Sequence, residues 1–549
     1  MPSAPSNFIR YLFGSTPDAK QGMSNRLIAR WLFLRALGLI YFSAFFSLVF
    51  QIRGLIGPQG ILPAGEYLEH VRHGVGPLRL WYAPTILWLS ASNHMLIALS
   101  IVGMLASLLL VANIWPRAML VICFIGFLSF VGAAQDFSNY QSDGMLLEAG
   151  FISLFLAPYG LLPGWGAVSP PPRASVLLLL WEWFRIYFES GAVKLLSGDP
   201  TWRNFTAMDE YYQNGPLPTW IGWYIQHLPE WFHKATAFTT LLMELGLVFM
   251  AFLPRRWRIA CFCIVTLWQA GVILTANYTF LNYLVLVLGV LLLDDRLLCR
   301  FLPARFRDRF PRLPEPASLE DEVTRDAEPD VEASIGRPRA AVRRHLGALR
   351  LAVTAVMLTW VFYDTSLLLI HMFWRTEPLP GEPIVALEPF RIANQYGLFA
   401  VMTPHRYEVE FQGSQDGATW TAYPFRYKPQ DLSGAPGLYA PYQPRFDWNL
   451  WFASLGAWPD YPIVPRAEEL LLTNDHDVLQ LFAGNPFAGT PPRYVRAVLW
   501  QYWFTSMGEK RTTGKWWRRQ LLGTYAPTIE RNADGRFVIL QDASLSGPQ

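Results

Sequence analysis

Ala174-Ser-Val-Leu-Leu-Leu-Leu-Trp-Glu-Trp-Phe-Arg185 runs without a break into Ile186-Tyr-Phe-Glu-Ser-Gly-Ala-Val-Lys194. The stretch is long and apolar enough to cross a hydrocarbon core of about 30 Å as a helix, yet it carries Glu182, Arg185, Glu189 and Lys194. On an insertion scale each Asp, Lys or Arg at a bilayer centre costs roughly 2.5 to 3.5 kcal/mol. Such groups pair, face a protein interior or wet cavity, and mark a candidate functional site. Glu182, Arg185 and Glu189 fall within about 60° of one another on a helix, and the i,i+3 and i,i+4 steps predict that Arg185 bridges both acids. Lys194 lies apart, more than about 100° around the helix from Glu189. Near the helix end its cation suits the dipole and can snorkel; a desolvated Lys194 would instead be a base or nucleophile.

The rest of the chain repeats the apolar pattern. It is 52% hydrophobic and 16% charged over 549 residues, well below the roughly 25% charged of a soluble domain. The excess sits in about nine blocks of spanning length: 27–50, 86–112, 118–134, 145–162, 174–196, 235–253, 259–275, 280–293 and 351–373. The seventh and eighth are short and nearly contiguous, so they suit a hairpin, a re-entrant pair or two tilted spans. The first block is too long for a signal-peptide core and is expected to stay as a span. Before it, residues 7–13 read either as a short interfacial amphipathic piece or as a disordered tail. Other spans also carry charge: Arg35 in the first, Glu148 in the fourth and Glu244 in the sixth. At least one of these acids is expected to pair with Arg35 or Arg185. The group as a whole reads either as a structural ion network or as a reactive cavity.

Arg and Lys in short loops set orientation. Arg26, Arg30, Arg117, Arg173, Arg255 to Arg258 and Arg296 to Arg312 alternate correctly for a cytoplasmic N-terminus, which places 51–85, 197–234 and the tail outside. Residues 1–26 are then a cytoplasmic segment, 27–300 the membrane core, 301–347 a charged, Pro- and Arg-rich cytoplasmic linker, 348–375 the last span and 376–549 an extracytoplasmic domain. The linker has too little apolar surface to fold. A net charge of +3 argues against nucleic acid, which would want a concentrated basic stripe. The four cysteines all fall in or beside spans, so the tail has no disulfide framework.

After residue 375 the period changes from helix to strand. Tyr407, Val409 and Phe411 alternate in a half-buried strand, a second strand begins at Tyr423, and a third covers 494–505; 447–455 and 468–482 read as helices. The fold class expected is a polytopic α-helical membrane protein with a C-terminal α+β domain containing a β-sandwich-like sheet. No hydrolase elbow, zinc motif, P-loop or calcium loop occurs. His227 and His233 beside Trp231 read as interfacial rather than metal-binding, and no metal centre is expected.

Several segments together resemble the lipase maturation factor family: Phe188-Glu-Ser-Gly-Ala-Val-Lys194 through Ala207-Met208, Gly215-Pro-Leu-Pro-Thr-Trp220, His227-Leu-Pro-Glu-Trp-Phe-His233, Ala134-Gln-Asp-Phe-Ser-Asn-Tyr-Gln-Ser-Asp-Gly-Met-Leu-Leu-Glu148, Asn277-Tyr-Thr-Phe-Leu-Asn-Tyr283, Pro444-Arg-Phe-Asp-Trp-Asn-Leu-Trp451 and Lys515-Trp-Trp-Arg-Arg-Gln520. The resemblance covers nearly the whole chain. It implies a multi-pass protein that helps secreted lipases fold and assemble, in animal members from the endoplasmic reticulum, with outside loops and tail meeting the client. The linker here has a more bacterial composition, which favours a bacterial cytoplasmic membrane and leaves the client open. A shorter likeness, Tyr187-Phe-Glu-Ser-Gly-Ala-Val-Lys-Leu195, is to the helix of vitamin K-dependent gamma-carboxylase that carries its catalytic lysine, with Lys194 on the matching position.

Two functions follow as expectations. One is a maturation factor for exported proteins, lipases foremost, without a cofactor, whose client contacts would use Trp220, Trp223, His227, Trp231, His233, Trp448 and Trp451; those aromatics equally suit a membrane belt or a domain core. The other is a membrane enzyme with Lys194 as base, tuned by Glu148, Glu182 or Glu189, and a quinone or lipid bound beside it. Membrane lipid is a partner in either case.

Overall fold

The computed structural model describes residues 4–14, 26–138, 140–303, 337–532 and 534–541; the centre of the expected linker lies outside them. Among the described residues, five helices are long and apolar enough to cross a membrane: Leu27–Val49, Asn93–Val111, Glu230–Phe252, Arg255–Thr275 and His345–Phe373. Pro116–Val131 and Leu281–Leu292 are apolar but shorter. Gln141–Leu156 and Arg173–Leu196 complete the core; the first is short, the second charged. The seventh block is thus a full-length helix, whereas the eighth is nine helical residues plus a 3-10 turn. Ala4–Phe13 is helical, and Arg173 stacks on Tyr11 at 3.9 Å, so residues 7–13 are an ordered helix and not a disordered tail.

Local sequence sets the bounds of the charged helix. Pro172 precedes its first residue, where a missing amide costs nothing, and Gly198 takes the left-handed conformation (φ +83°) just past its end. The helix is covered on most sides: Trp181 Nε1 donates to Thr365 Oγ1 of the last span at 3.1 Å, and Phe184 and Phe188 meet Phe249 of the sixth block. Elsewhere close packing depends on a small residue. A Cβ on Gly103 would stand 2.5 Å from the Phe45 ring, so the Leu27–Val49 and Asn93–Val111 helices approach only because glycine is there.

Among the described residues the tail holds five antiparallel strands, β1 (Arg406–Ser414), β2 (Thr421–Ala422), β3 (Tyr494–Phe504), β4 (Trp517–Arg531) and β5 (Phe537–Gln541), in the order β2-β1-β3-β4-β5. Arg406 pairs with Tyr502 and Ser414 with Tyr494. Helices Arg445–Ala453 and Ile463–Leu472 pack on this sheet through Leu450, Val464, Ala467 and Leu471, against Val409, Phe411, Ala497 and Leu499. The expected sandwich is therefore corrected to one sheet backed by helices. The strand expected to begin at Tyr423 does not form: pairing is confined to Thr421–Ala422 just before it, since Pro424 cannot donate to a ladder. The polar face of β1 is buried rather than solvated: Glu408 meets Arg406, and Lys428 at 2.9 Å, and Glu410 meets Arg519 at 2.9 Å.

Candidate functional site

The charged helix meets its partners mainly on other segments. Arg185 and Glu148, both fully buried, form a close ion pair between neighbouring helices. Arg185 Nη1 also donates to the Asn394 carbonyl at 2.6 Å and stands 3.8 Å from Glu189. Glu148 Oε2 accepts from the Asn394 amide (3.0 Å), the Asn394 side chain (3.2 Å) and the Tyr396 hydroxyl (2.9 Å). Glu189 Oε2 accepts from the Tyr396 amide at 2.6 Å. The core thus grips a segment that follows the last span.

Of the double bridge expected within the helix, the Arg185–Glu189 half is present at 3.8 Å, and the Arg185–Glu182 half is replaced by the contact with Glu148. Arg185 turns to Glu148 because that acid would otherwise be buried alone. Glu182 is fully buried, and among the described residues neither of its oxygens has a donor in normal hydrogen-bond geometry. Arg35 stays outside the group: it donates to the Trp31 carbonyl at 3.1 Å and lies 4.4 Å from the Trp31 ring.

Lys194 forms a second centre. Its Nζ lies 2.9 Å from both oxygens of Glu244, donates to the Leu398 carbonyl at 3.0 Å and the Ser190 carbonyl at 3.3 Å, and sits 5.0 Å above the Trp202 ring. The pair lies in the wall of a cavity of about 380 Å3. Beside it, Asp199 Oδ2 accepts from the Met402 amide at 2.7 Å, so the post-span segment is held a third time.

A further centre escaped the sequence reading. Arg445, at the start of a tail helix, makes a two-pronged pair with Asp143 of the fourth helix at 2.7 and 2.8 Å, and also donates to the Phe137 carbonyl at 2.6 Å. Both side chains are fully buried. The available signal was that Asp143 and Arg445 each lie in a family-like segment, Tyr-Gln-Ser-Asp-Gly and Pro-Arg-Phe-Asp-Trp.

The aromatic candidates divide by exposure. Trp220 and Trp231 are 43% and 69% exposed. Trp223, Trp448 and Trp451 are buried, as is His233, which agrees with the domain-core alternative and removes them from an exposed contact surface. Trp223 packs with Phe504 and Trp517, Trp448 with Tyr140 and Tyr278, and Trp451 donates to the Asn214 carbonyl at 3.1 Å. His227 places its two nitrogens against the carbonyls of Trp223 and Thr505 at 2.7 and 2.9 Å. Among the described residues no group of three His, Cys, Asp or Glu side chains is placed to hold a metal ion.

Long apolar helices around buried ion pairs, with a sheet-bearing domain bonded to them, define a helical membrane protein of two parts. Comparison with known proteins gives those parts names. Residues 28–300 match the model of the lipase maturation factor transmembrane domain, and residues 392–527 that of the lipase maturation factor C-terminal domain. The chain is 32% identical to lipase maturation factor 1 of Bos taurus over 96% of its own length and 93% of the relative's. It is 32% identical to lipase maturation factor 2 of Gallus gallus over 91% and 81%, and 31% identical to lipase maturation factor 1 of Homo sapiens over 91% and 88%. The chain belongs to the lipase maturation factor family. No solved structure matches it, and none of these relatives or family models is a carboxylase.

Proposed function

We propose that this protein is a maturation factor for exported lipases and acts as a scaffold rather than a catalyst. The observation that carries the reading is where the buried charges go: Arg185, Glu148, Glu189 and Lys194 all bond to the 394–398 segment, and Asp143 to Arg445. Core and tail are thereby joined into one body that exposes Trp220 and Trp231. Lys194 has its donors engaged by a carboxylate and two carbonyls, which suits a fixed strut better than a base awaiting substrate. The names of the relatives supply the client class.

In this reading the chain crosses the membrane about nine times, with the shorter and charged helices among the spans. The N-terminus is cytoplasmic and the tail extracytoplasmic, following the Arg and Lys of the loops. The membrane is that of the bacterial cytoplasm if the host is bacterial and of the endoplasmic reticulum if it is eukaryotic. The test is specific activity per molecule of an exported lipase in cells with and without the gene. Lower activity at unchanged lipase synthesis in the deletion supports the proposal, and unchanged activity and oligomeric state count against it for that client.

A further inference from the structure

Helices Glu230–Leu245 and Arg255–Thr275 share the 3-10 turn Leu247–Phe252. The first packs on the charged helix and the second on Leu281–Gly289, so they part from that turn. The cavity of about 380 Å3 lies between them, within the range of roughly 300 to 1,000 Å3 usual for small-molecule sites. Phe232, Thr236, Thr240 and Glu244, four residues apart, form one wall as a single helix stripe. Leu267, 76% exposed on an apolar helix, lines the opposite side, so the cavity reaches the surface that faces lipid.

Two features of the lining specify an occupant. Lys194 and Glu244 neutralise each other, so an ion would enter without a free counter-charge. Three further lining side chains form a relay: the Tyr187 hydroxyl donates to Gln269 Oε1 at 3.5 Å, and Gln269 Nε2 donates to Asn282 Oδ1 at 3.0 Å. Asn282 is only 4% exposed and lines the cavity, and among the described residues its hydrogen bond is made through Oδ1, which leaves Nδ2 facing the open space. An amide donor on the cavity wall suits an acceptor oxygen, and the mutual neutralisation of Lys194 and Glu244 favours an uncharged one.

We infer that the cavity binds a neutral, ester-bearing lipid with one alkyl chain. The chain enters between the two helices from the bilayer, and its carbonyl oxygen accepts from Asn282 Nδ2. The inference rests on the membrane placement of these helices and is independent of the maturation reading.

The test uses the full-length protein in phosphatidylcholine nanodiscs and three diazirine probes of equal chain length: a monoacylglycerol, the free fatty acid and the alkane. The monoacylglycerol should label peptides from 230–289 about fivefold more than either other probe, the worth of one neutral hydrogen bond. Unlabelled monoolein should compete it away, and Asn282→Leu should bring labelling down to the alkane level. Thr240→Trp, which fills the wall, should abolish labelling while the protein stays monodisperse. Equal labelling by all three probes, labelling that monoolein does not displace, or wild-type labelling of folded Thr240→Trp would each overturn the inference. The competition arm uses wild-type protein, so it decides the matter even where a variant fails to fold.

Discussion

Arg445 and Asp143 lie 302 residues apart and form a fully buried, two-pronged ion pair that ties a tail helix to a core helix. Removing one partner leaves the other charge without compensation, at a cost of roughly 3 to 5 kcal/mol. Asp143→Ala or Arg445→Met should therefore sharply lower the thermal midpoint in detergent. The double variant Asp143→Leu/Arg445→Met should recover most of the loss, because it leaves no buried ion. A double variant as unstable as the worse single one would mean that the pair does more than neutralise itself.

Exposure separates the two tryptophans that flank His227. Trp223→Ala empties a buried site and should cost about 3 to 5 kcal/mol. Trp231→Ala should leave stability within about 0.5 kcal/mol, as for a surface change. If Trp231 contacts the client, the same variant lowers lipase activity per molecule, and that assay beside a melting curve distinguishes the two positions.

In the tail, burial pushes the Asp447 carboxyl up to about 7, with the Lys428 ammonium pulling the other way and the Glu408 carboxylate adding to the rise. The folded form therefore keeps a proton that the unfolded chain has lost above about pH 4. Stability from this group is full below the unfolded value, falls as pH rises toward 7, and levels off above it, with a slope of at most about 1.4 kcal/mol per pH unit. Asp447→Asn should flatten that slope. Denaturation of the purified protein between pH 5 and 8 measures it, and an unchanged slope in the variant would assign the dependence to another group.

Much of this architecture was legible because helix period and apolar length are local properties. The charged helix and the change to strands after residue 375 follow from them. What was hidden depended on chain segments far apart. Arg185 could reach Glu182 or Glu189 by helix geometry alone, and only the fold brings Glu148 and Asn394 closer. Arg445 stands outside the helix expected from 447, and no local pattern ties it to Asp143. Strand β4 was missed because Arg518, Arg519 and Gln520 break its alternation and Pro527 interrupts it. Burial of Trp448 and Trp451 could not be told from exposure, since an aromatic-rich helix serves a core or a contact surface equally well.

Lys194 and Glu244 decide between a buried charge that holds the fold, as proposed, and one that takes part in chemistry. Lipase activity per molecule would be measured in deletion cells carrying wild-type protein or Lys194→Met/Glu244→Leu, at matched membrane abundance. The account predicts that this double variant, with no buried charge left unpaired, restores lipase activity close to the wild-type level. A double variant that is folded and equally abundant but gives no rescue would contradict this and show that the Lys194–Glu244 pair does more than neutralise itself.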